Sequence, residues 1–331
     1  MDRNKSELNE KAIIRNLELV DLYVEDITEY QNLSTSTIRT YVPDAKRAAK
    51  IFGEMGVTFD QIDVHDLKKF MKTVDEISPR KDGLTLGRLK GIFSQLNSMM
   101  EFLVYNNYAQ TNKVPGFRKR YLKSYKNSVS QSTEKQVPPD SQLSEMIYSI
   151  QDIQIRAYHL LLAKTGLRRE ESILLNIEDV DLVERSITTS RSRKRTNRRL
   201  PIDKECASAL ESYFRSMPTY PRVEGEESLF VNREGRRIGK NTVSRWVNQS
   251  AQRCGLHDPS ADRLERHKKF GPHNYRHWFT TALRRNDCPE RIIKHLRGDA
   301  DNSTADRYDH VTWGEVVEAY TACIPAFNEL K

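Results

Sequence analysis

Through the first hundred residues, apolar side chains recur at the spacing of helices that bury one face. Between Asn16 and Tyr30 they fall at Leu17, Leu19, Val20, Leu22, Tyr23 and Ile27. Ser34-Thr-Ser-Thr-Ile-Arg-Thr-Tyr41 offers several N-caps for a second helix that runs toward Phe52 and ends near Gly53 to Gly56. A third is expected from Val64 to Asp75, opened by Asp63 and closed by Ser78-Pro79. A fourth, from Thr85 to Asn106, carries Leu89, Ile92, Phe93, Leu96, Met99, Met100 and Leu103 on one broad face. Four helices with short connections predict a small bundle over residues 1–112.

The helical period then lapses. Residues 113–126 are basic with interleaved aromatics, and 128–139 are polar without an apolar repeat, so 113–140 reads as a linker. Its Arg118, Lys119 and Arg120 suit a segment passing along a DNA backbone. Helical spacing returns over 143–150 and 155–164, and again over 166–175 after a break. Residues 177–189 are rich in β-branched side chains and predict short strands that flank the basic stretch 190–199. Helices are expected again over 204–217, 242–254, 275–285, 289–296, 303–308 and from 313 onward. Residues 141–331 thus predict a mainly α domain with a small β-sheet. The final helix, with Trp313, Val316, Val317, Tyr320, Ile324 and Phe327, is amphipathic. Its apolar face suits either its own domain or a neighbouring protomer.

At 331 residues the chain is about twice a typical domain, in keeping with two units. An apolar content of 37% beside 30% charged residues leaves enough for two small, mostly helical cores. No apolar run reaches the ~18 residues of a transmembrane helix. The amino end, Met1-Asp-Arg-Asn-Lys-Ser-Glu, has no apolar signal core, so a cytoplasmic protein is expected. Cys206, Cys254, Cys288 and Cys323 are scattered without a CxxC pair and read as reduced structural thiols. Cys254, His257 and His267 lack a fourth ligand at zinc-finger spacing, so no metal site is expected. The net charge of +8, from 54 basic and 46 acidic residues, favours a polyanionic partner, nucleic acid or an anionic membrane surface.

Four dispersed residues change this picture. Thr165-Gly-Leu-Arg168, Gly271-Pro-His-Asn-Tyr-Arg-His277 and Tyr308 supply two arginines, a histidine and a phenol in one domain. Together they suit a single phosphodiester. A guanidinium offers phosphate a planar fork and stays protonated, which fits Arg168 and Arg276 as a clamp on the non-bridging oxygens. His273, three residues before Arg276 and on the same helical face, suits proton transfer or phosphate contact. His277 is expected to point elsewhere. The phenol of Tyr308 can attack phosphorus. Arg191, Arg193, Lys194, Arg195, Arg198 and Arg199 place six cations in nine residues with no acid among them, which points to a loop that reaches DNA. Lys194, the one lysine there, can give a proton to a leaving 5′ oxygen, and Arg193 is the competing position.

Thr165-Gly-Leu-Arg-Arg-Glu-Glu171, the Lys194 hairpin, His273-x-x-Arg276-His277 and Leu296-Arg-Gly-Asp299 followed by Tyr308 resemble the motif series of the tyrosine recombinase (phage-integrase, Xer-like) family. The likeness is specific over 141–331. Over 1–112 it is architectural, similar to that family's core-binding (SAM-like) domain. It implies a clamp around double-stranded DNA, a 3′-phosphotyrosyl intermediate on Tyr308, Arg168 and Arg276 on the scissile phosphate, Lys194 protonating the leaving oxygen and His273 as acid/base. Glu171 matches the acidic position that supports such a site from behind. The resemblance further implies no metal or nucleotide cofactor, and a homo-tetramer on DNA from a monomer or weak dimer. The chain departs from the family at Asp299, where a histidine or tryptophan usually stands, a pattern resembling archaeal-type members. An ionised aspartate cannot donate to phosphate, so Asp299 is protonated, or orients basic neighbours, or impairs the site. Strand nicking and resealing without exchange, as by a type IB topoisomerase, and DNA binding without chemistry are the alternatives.

Overall fold

The computed structural model describes residues 2–79, 83–122, 137–189, 197–261, 265–299 and 311–327. The chain divides into two units, Met1–Ser130 and Gln131–Lys331.

In the first unit the expected helices form, with ends shifted by a few residues and a longer start to the first. They are α1 Asp2–Glu25, running into a π-helical turn Asp26–Tyr30, α2 Thr35–Glu54, α3 Val64–Glu76 and α4 Leu86–Tyr105. The starts of α2, α3 and α4 are set by side-chain caps. Ser34 Oγ accepts the Thr37 N–H at 3.3 Å, and Asp63 and Asp66 cap each other's backbone at 2.8 and 3.0 Å. The buried Asp44 of α2 takes a two-pronged pair from Arg88 of α4 at 2.7 and 2.5 Å.

A fifth element follows, and it corrects the linker expected from residue 113. Val114–Phe117 form a short helix, α5, that continues as the π-helical turn Arg118–Leu122. Val114, Phe117 and Leu122 are buried in the first core. Phe52, Phe70, Phe93, Phe117 and Tyr121 make a continuous run of ring contacts at 4.7–5.7 Å, so the aromatics among the basic residues are core anchors. Lys119 and Arg120 are exposed on that turn and Arg118 is half-buried.

The second unit contains α6 Asp140–Tyr148, α7 Ile153–Thr165, α8 Arg169–Leu174, α9 Lys204–Ser216, α10 Lys240–Arg253, α11 Pro272–Arg285, α12 Glu290–Arg297 and α13 Trp313–Cys323. Between α8 and α9 lies a small antiparallel sheet in the order β1 Val180–Asp181, β2 Ser186–Thr189, β3 Arg198–Pro201. Thr189 pairs with Arg198 and Ile187 with Leu200, so β2 and β3 form the hairpin that carries the basic stretch. Arg198 and Arg199 therefore belong to a strand rather than to the loop.

α7 is the spine of this unit, with every residue from 157 to 165 buried. His159 Nδ1 lies 2.6 Å from the Tyr275 hydroxyl and ties α7 to α11. Burial pushes this imidazole down to about 3, so it stays neutral in the core. α13 packs on its own unit. Val316, Tyr320, Cys323 and Phe327 are buried there, and the Tyr320 hydroxyl donates to the Lys164 carbonyl at 2.9 Å. The fully buried Lys164 ammonium meets Asp203, Glu205 and the Pro325 carbonyl, each at 2.6 Å, and stands 4.2 Å over the Phe327 ring. No helix among the described residues is long and apolar enough to cross a membrane.

Candidate active site

Two helix C-termini hold the arginines expected to clamp phosphate. α7 ends at Gly166, whose φ is +60°, and a Cβ there would fall 2.4 Å from the Phe279 ring. Only glycine meets both demands. Its carbonyl accepts Arg276 Nη1 at 2.9 Å. α12 ends at Arg297 with Gly298 in the left-handed conformation, φ 56°. The Arg297 carbonyl accepts Nη1 of Arg168 at 3.0 Å and Nη2 of Arg276 at 2.8 Å. The last carbonyls of a helix lack intrahelical donors and carry its negative end, a natural seat for guanidinium groups.

Glu171 locks the other side of Arg168. Its Oε2 accepts the Arg168 backbone N–H at 2.8 Å and its Oε1 accepts Arg168 Nη1 at 3.1 Å. Arg198 meets the same carboxylate with Nη1 and Nη2, each at 3.1 Å, and gives its Nε to the Leu296 carbonyl at 3.1 Å. Burial alone would raise the Glu171 carboxyl. The hydrogen bonds and charge of Arg198, then those of Arg168, outweigh it and hold the group below the ordinary glutamate range.

Arg198 thereby corrects its expected place among the DNA-reaching cations. It is 6% exposed, and all three guanidinium nitrogens donate to Glu171 or Leu296. Arg199 is half-buried rather than free on a loop. Its Nε donates to Ser186 Oγ at 3.0 Å and its guanidinium stacks 4.3 Å over Trp313 of α13.

The two arginines converge on Asp299. Its Oδ1 accepts from Arg168 Nη2 at 2.9 Å and from Arg276 Nη2 at 3.0 Å, joining residues 131 and 23 positions away in the chain. Its Oδ2 is 3.1 Å from Arg297 Nε, within ion-pair range but without hydrogen-bond alignment. Asp299 thus meets three basic neighbours, Arg168, Arg276 and Arg297. Arg276 is 3% exposed. Its burial, then the charges of Arg168 and Arg297, push its guanidinium down to about 9, against the opposing pull of Asp299 and Glu171. It remains a cation at neutral pH.

His273 stands exposed on the first turn of α11, and its ring centroid lies 4.5 Å from that of His277 in an edge-to-face contact. His277 therefore shares the His273 face, as a residue one turn on must. Tyr308, Lys194, Arg191, Arg193 and Arg195 lie outside the described residues. Arg118, Lys119 and Arg120 belong to the first unit. Sequence reasoning missed the backbone of Gly166 and Arg297 as arginine acceptors. The glycine that ends each helix was the available signal, since it marks where carbonyls are left to be capped.

The family described as "Phage integrase family" matches residues 134–314, and its "N-terminal SAM-like domain" matches residues 20–81. Tyrosine recombinase XerC of Alcanivorax borkumensis is 25% identical over 318 residues, which cover 95% of this chain and 96% of that protein. Tyrosine recombinase XerC of Thermodesulfovibrio yellowstonii is 32% identical over 174 residues, covering 51% of this chain and 54% of that one. Among solved structures, the Tn1549 transposon integrase in complex with a circular intermediate DNA superposes with a TM-score of 0.66 at 16% identity, covering 90% of this chain and 96% of that one. XerH site-specific recombinase bound to a palindromic difH substrate gives 0.64 at 19% identity, covering 88% and 81%. Both likenesses are of fold.

Proposed function

The chain belongs to the phage integrase family of tyrosine recombinases, and from that premise we propose that it cleaves and rejoins duplex DNA site-specifically through a 3′-phosphotyrosyl intermediate. One observation carries the reading on this chain's own residues. Arg168 Nη2 and Arg276 Nη2 converge on a single oxyanion, Asp299 Oδ1, at 2.9 and 3.0 Å. Donors so arranged and fixed by backbone carbonyls suit the non-bridging oxygens of a phosphodiester.

In this scheme the phenol of Tyr308 attacks phosphorus, forming the tyrosyl ester and breaking the bond to the 5′ oxygen. His273 handles the phenolic proton, and Lys194, with Arg193 as the competing position, protonates the leaving oxygen. A 5′ hydroxyl from the partner strand then attacks the phosphotyrosyl bond and releases Tyr308. The ester conserves the energy of the broken bond, so the cycle needs neither nucleotide nor metal. Exchange between two duplexes takes four cleavages, which calls for a homo-tetramer on DNA assembled from a monomer or weak dimer. The basic balance of the chain and the exposed Lys119 and Arg120 support the DNA partner, and a cytoplasmic setting gives access to it.

The test is to incubate the protein with nicked DNA fragments spanning its own genetic locus and to look for a covalent adduct on denaturing gels. The unaltered chain is expected to form one. Tyr308→Phe should form none while keeping its DNA affinity, and Arg168→Ala should lower the yield rate by about a hundredfold or more. An adduct formed by Tyr308→Phe would overturn the assignment of the nucleophile.

A further inference from the structure

We propose that Asp299 is an internal stand-in for the scissile phosphate: in the DNA-free enzyme its carboxylate fills the seat between Arg168 and Arg276 and must leave before a phosphodiester can be clamped. The inference rests on the reading of those arginines as the phosphate clamp and goes beyond it, because it assigns a self-occluding contact to Asp299, a candidate catalytic residue to which the scheme above gives no step.

The contacts are those of a phosphate oxygen. One oxygen of Asp299 bridges the Nη2 atoms of both arginines, the position that a non-bridging oxygen of the substrate would take. Neither arginine has another described side-chain anion fully at its disposal, since Glu171 is shared with Arg198 through both of its oxygens. With Asp299 removed, Arg168, Arg276 and Arg297 would face one another across the seat, and burial, then their mutual repulsion, already depresses Arg276. The carboxylate therefore neutralises a charge cluster that would otherwise attract any small anion or DNA phosphate.

Carboxylate and phosphate cannot share this place. Both are anions, both need the same two N–H groups, and two anions held a few ångströms apart in a partly buried site repel. The side chain of Asp299 is 30% exposed, so it can turn toward solvent. Arg297 Nε lies 3.1 Å from its second oxygen and offers a partner on the way. Phosphate binding is thus a ligand exchange, anion for anion, and any phosphate that enters the seat must first displace Asp299.

The test measures binding of inorganic sulfate, an anion of fixed charge near neutral pH, to the full chain by titration calorimetry at constant ionic strength. Asp299→Asn and Asp299→Ala should each bind sulfate at least about tenfold more tightly than the unaltered chain, having lost the internal competitor. Adding Arg168→Ala to Asp299→Asn should abolish that gain. If both Asp299 variants bind sulfate no better than the unaltered chain while Arg168→Ala still weakens binding, Asp299 positions the arginines instead of occupying their seat, and the inference falls while the proposed function stands. If Arg168→Ala leaves sulfate affinity unchanged in every background, the clamp reading fails and takes the inference with it.

Discussion

Glu171 is the residue through which the site is tied together. It accepts from Arg198 with both oxygens and from Arg168 through side chain and backbone. Glu171→Gln keeps the shape but leaves the buried Arg198 without a counter-charge, a change that should destabilise the protein by about 3–5 kcal/mol in urea denaturation. The pH dependence has a defined sign. Folding lowers the carboxyl of Glu171, so its contribution is complete above the ordinary glutamate value of about 4.3 and is lost as pH falls through the lower folded value. The acid limb of a stability-against-pH curve should therefore be shallower in Glu171→Gln, and an unchanged limb would show that the carboxylate is not held as described. Sequence showed Arg168, Glu171 and Arg276 at their motif spacings. It did not show Arg198 as their companion, because a cation in a run of cations looks solvated until strand register places it. Pairing Thr189 with Arg198 starts β3 at that residue, and its side chain turns to Glu171.

The same lesson holds for elements. Helical period located α7, α8, α11 and α12, but what matters for the site is how they end. Gly166 combines φ of +60° with a Cβ position 2.4 Å from the Phe279 ring. Gly166→Ala must therefore strain the backbone and push α11 away from α7, at a cost of about 2–4 kcal/mol. It should also weaken sulfate binding, because the Gly166 carbonyl anchors Arg276. Gly314→Ala is the contrasting case. It lies within α13 with nothing inside 4 Å of the added carbon, and should stabilise by roughly 0.4–1 kcal/mol. Thermal denaturation of the two variants checks the pair, and equal effects would contradict the packing. The linker expected from residue 113 gives way to structure over 113–122 for a related reason. The basic side chains of Arg118, Lys119 and Arg120 broke the apolar pattern, while Val114, Phe117 and Leu122 between and around them were filling the first core.

At the scale of the whole molecule, sequence pointed to two mainly helical units and a net positive charge of +8. What it could not assign was which cations meet DNA, because composition counts charges without saying which are spent inside the protein. Arg198 and Arg88 are paired with carboxylates, whereas Lys119 and Arg120 stand exposed on the turn that ends the described part of the first unit. Counterion release makes the distinction measurable, since each phosphate neutralised adds about 0.9 to the slope of log affinity against log salt. Alanine at Arg118, Lys119 and Arg120 together should reduce that slope by about 2–3 on any duplex, with no need to know the target sequence. Arg168→Ala, which on the proposed clamp reading removes one phosphate contact, should reduce it by about 1. Phe117 and Leu122 keep the turn packed, so the triple variant should retain its thermal midpoint. A slope left unchanged in a fully folded triple variant would show that this turn faces solvent in the complex, and would leave the cations of the second unit to carry the DNA.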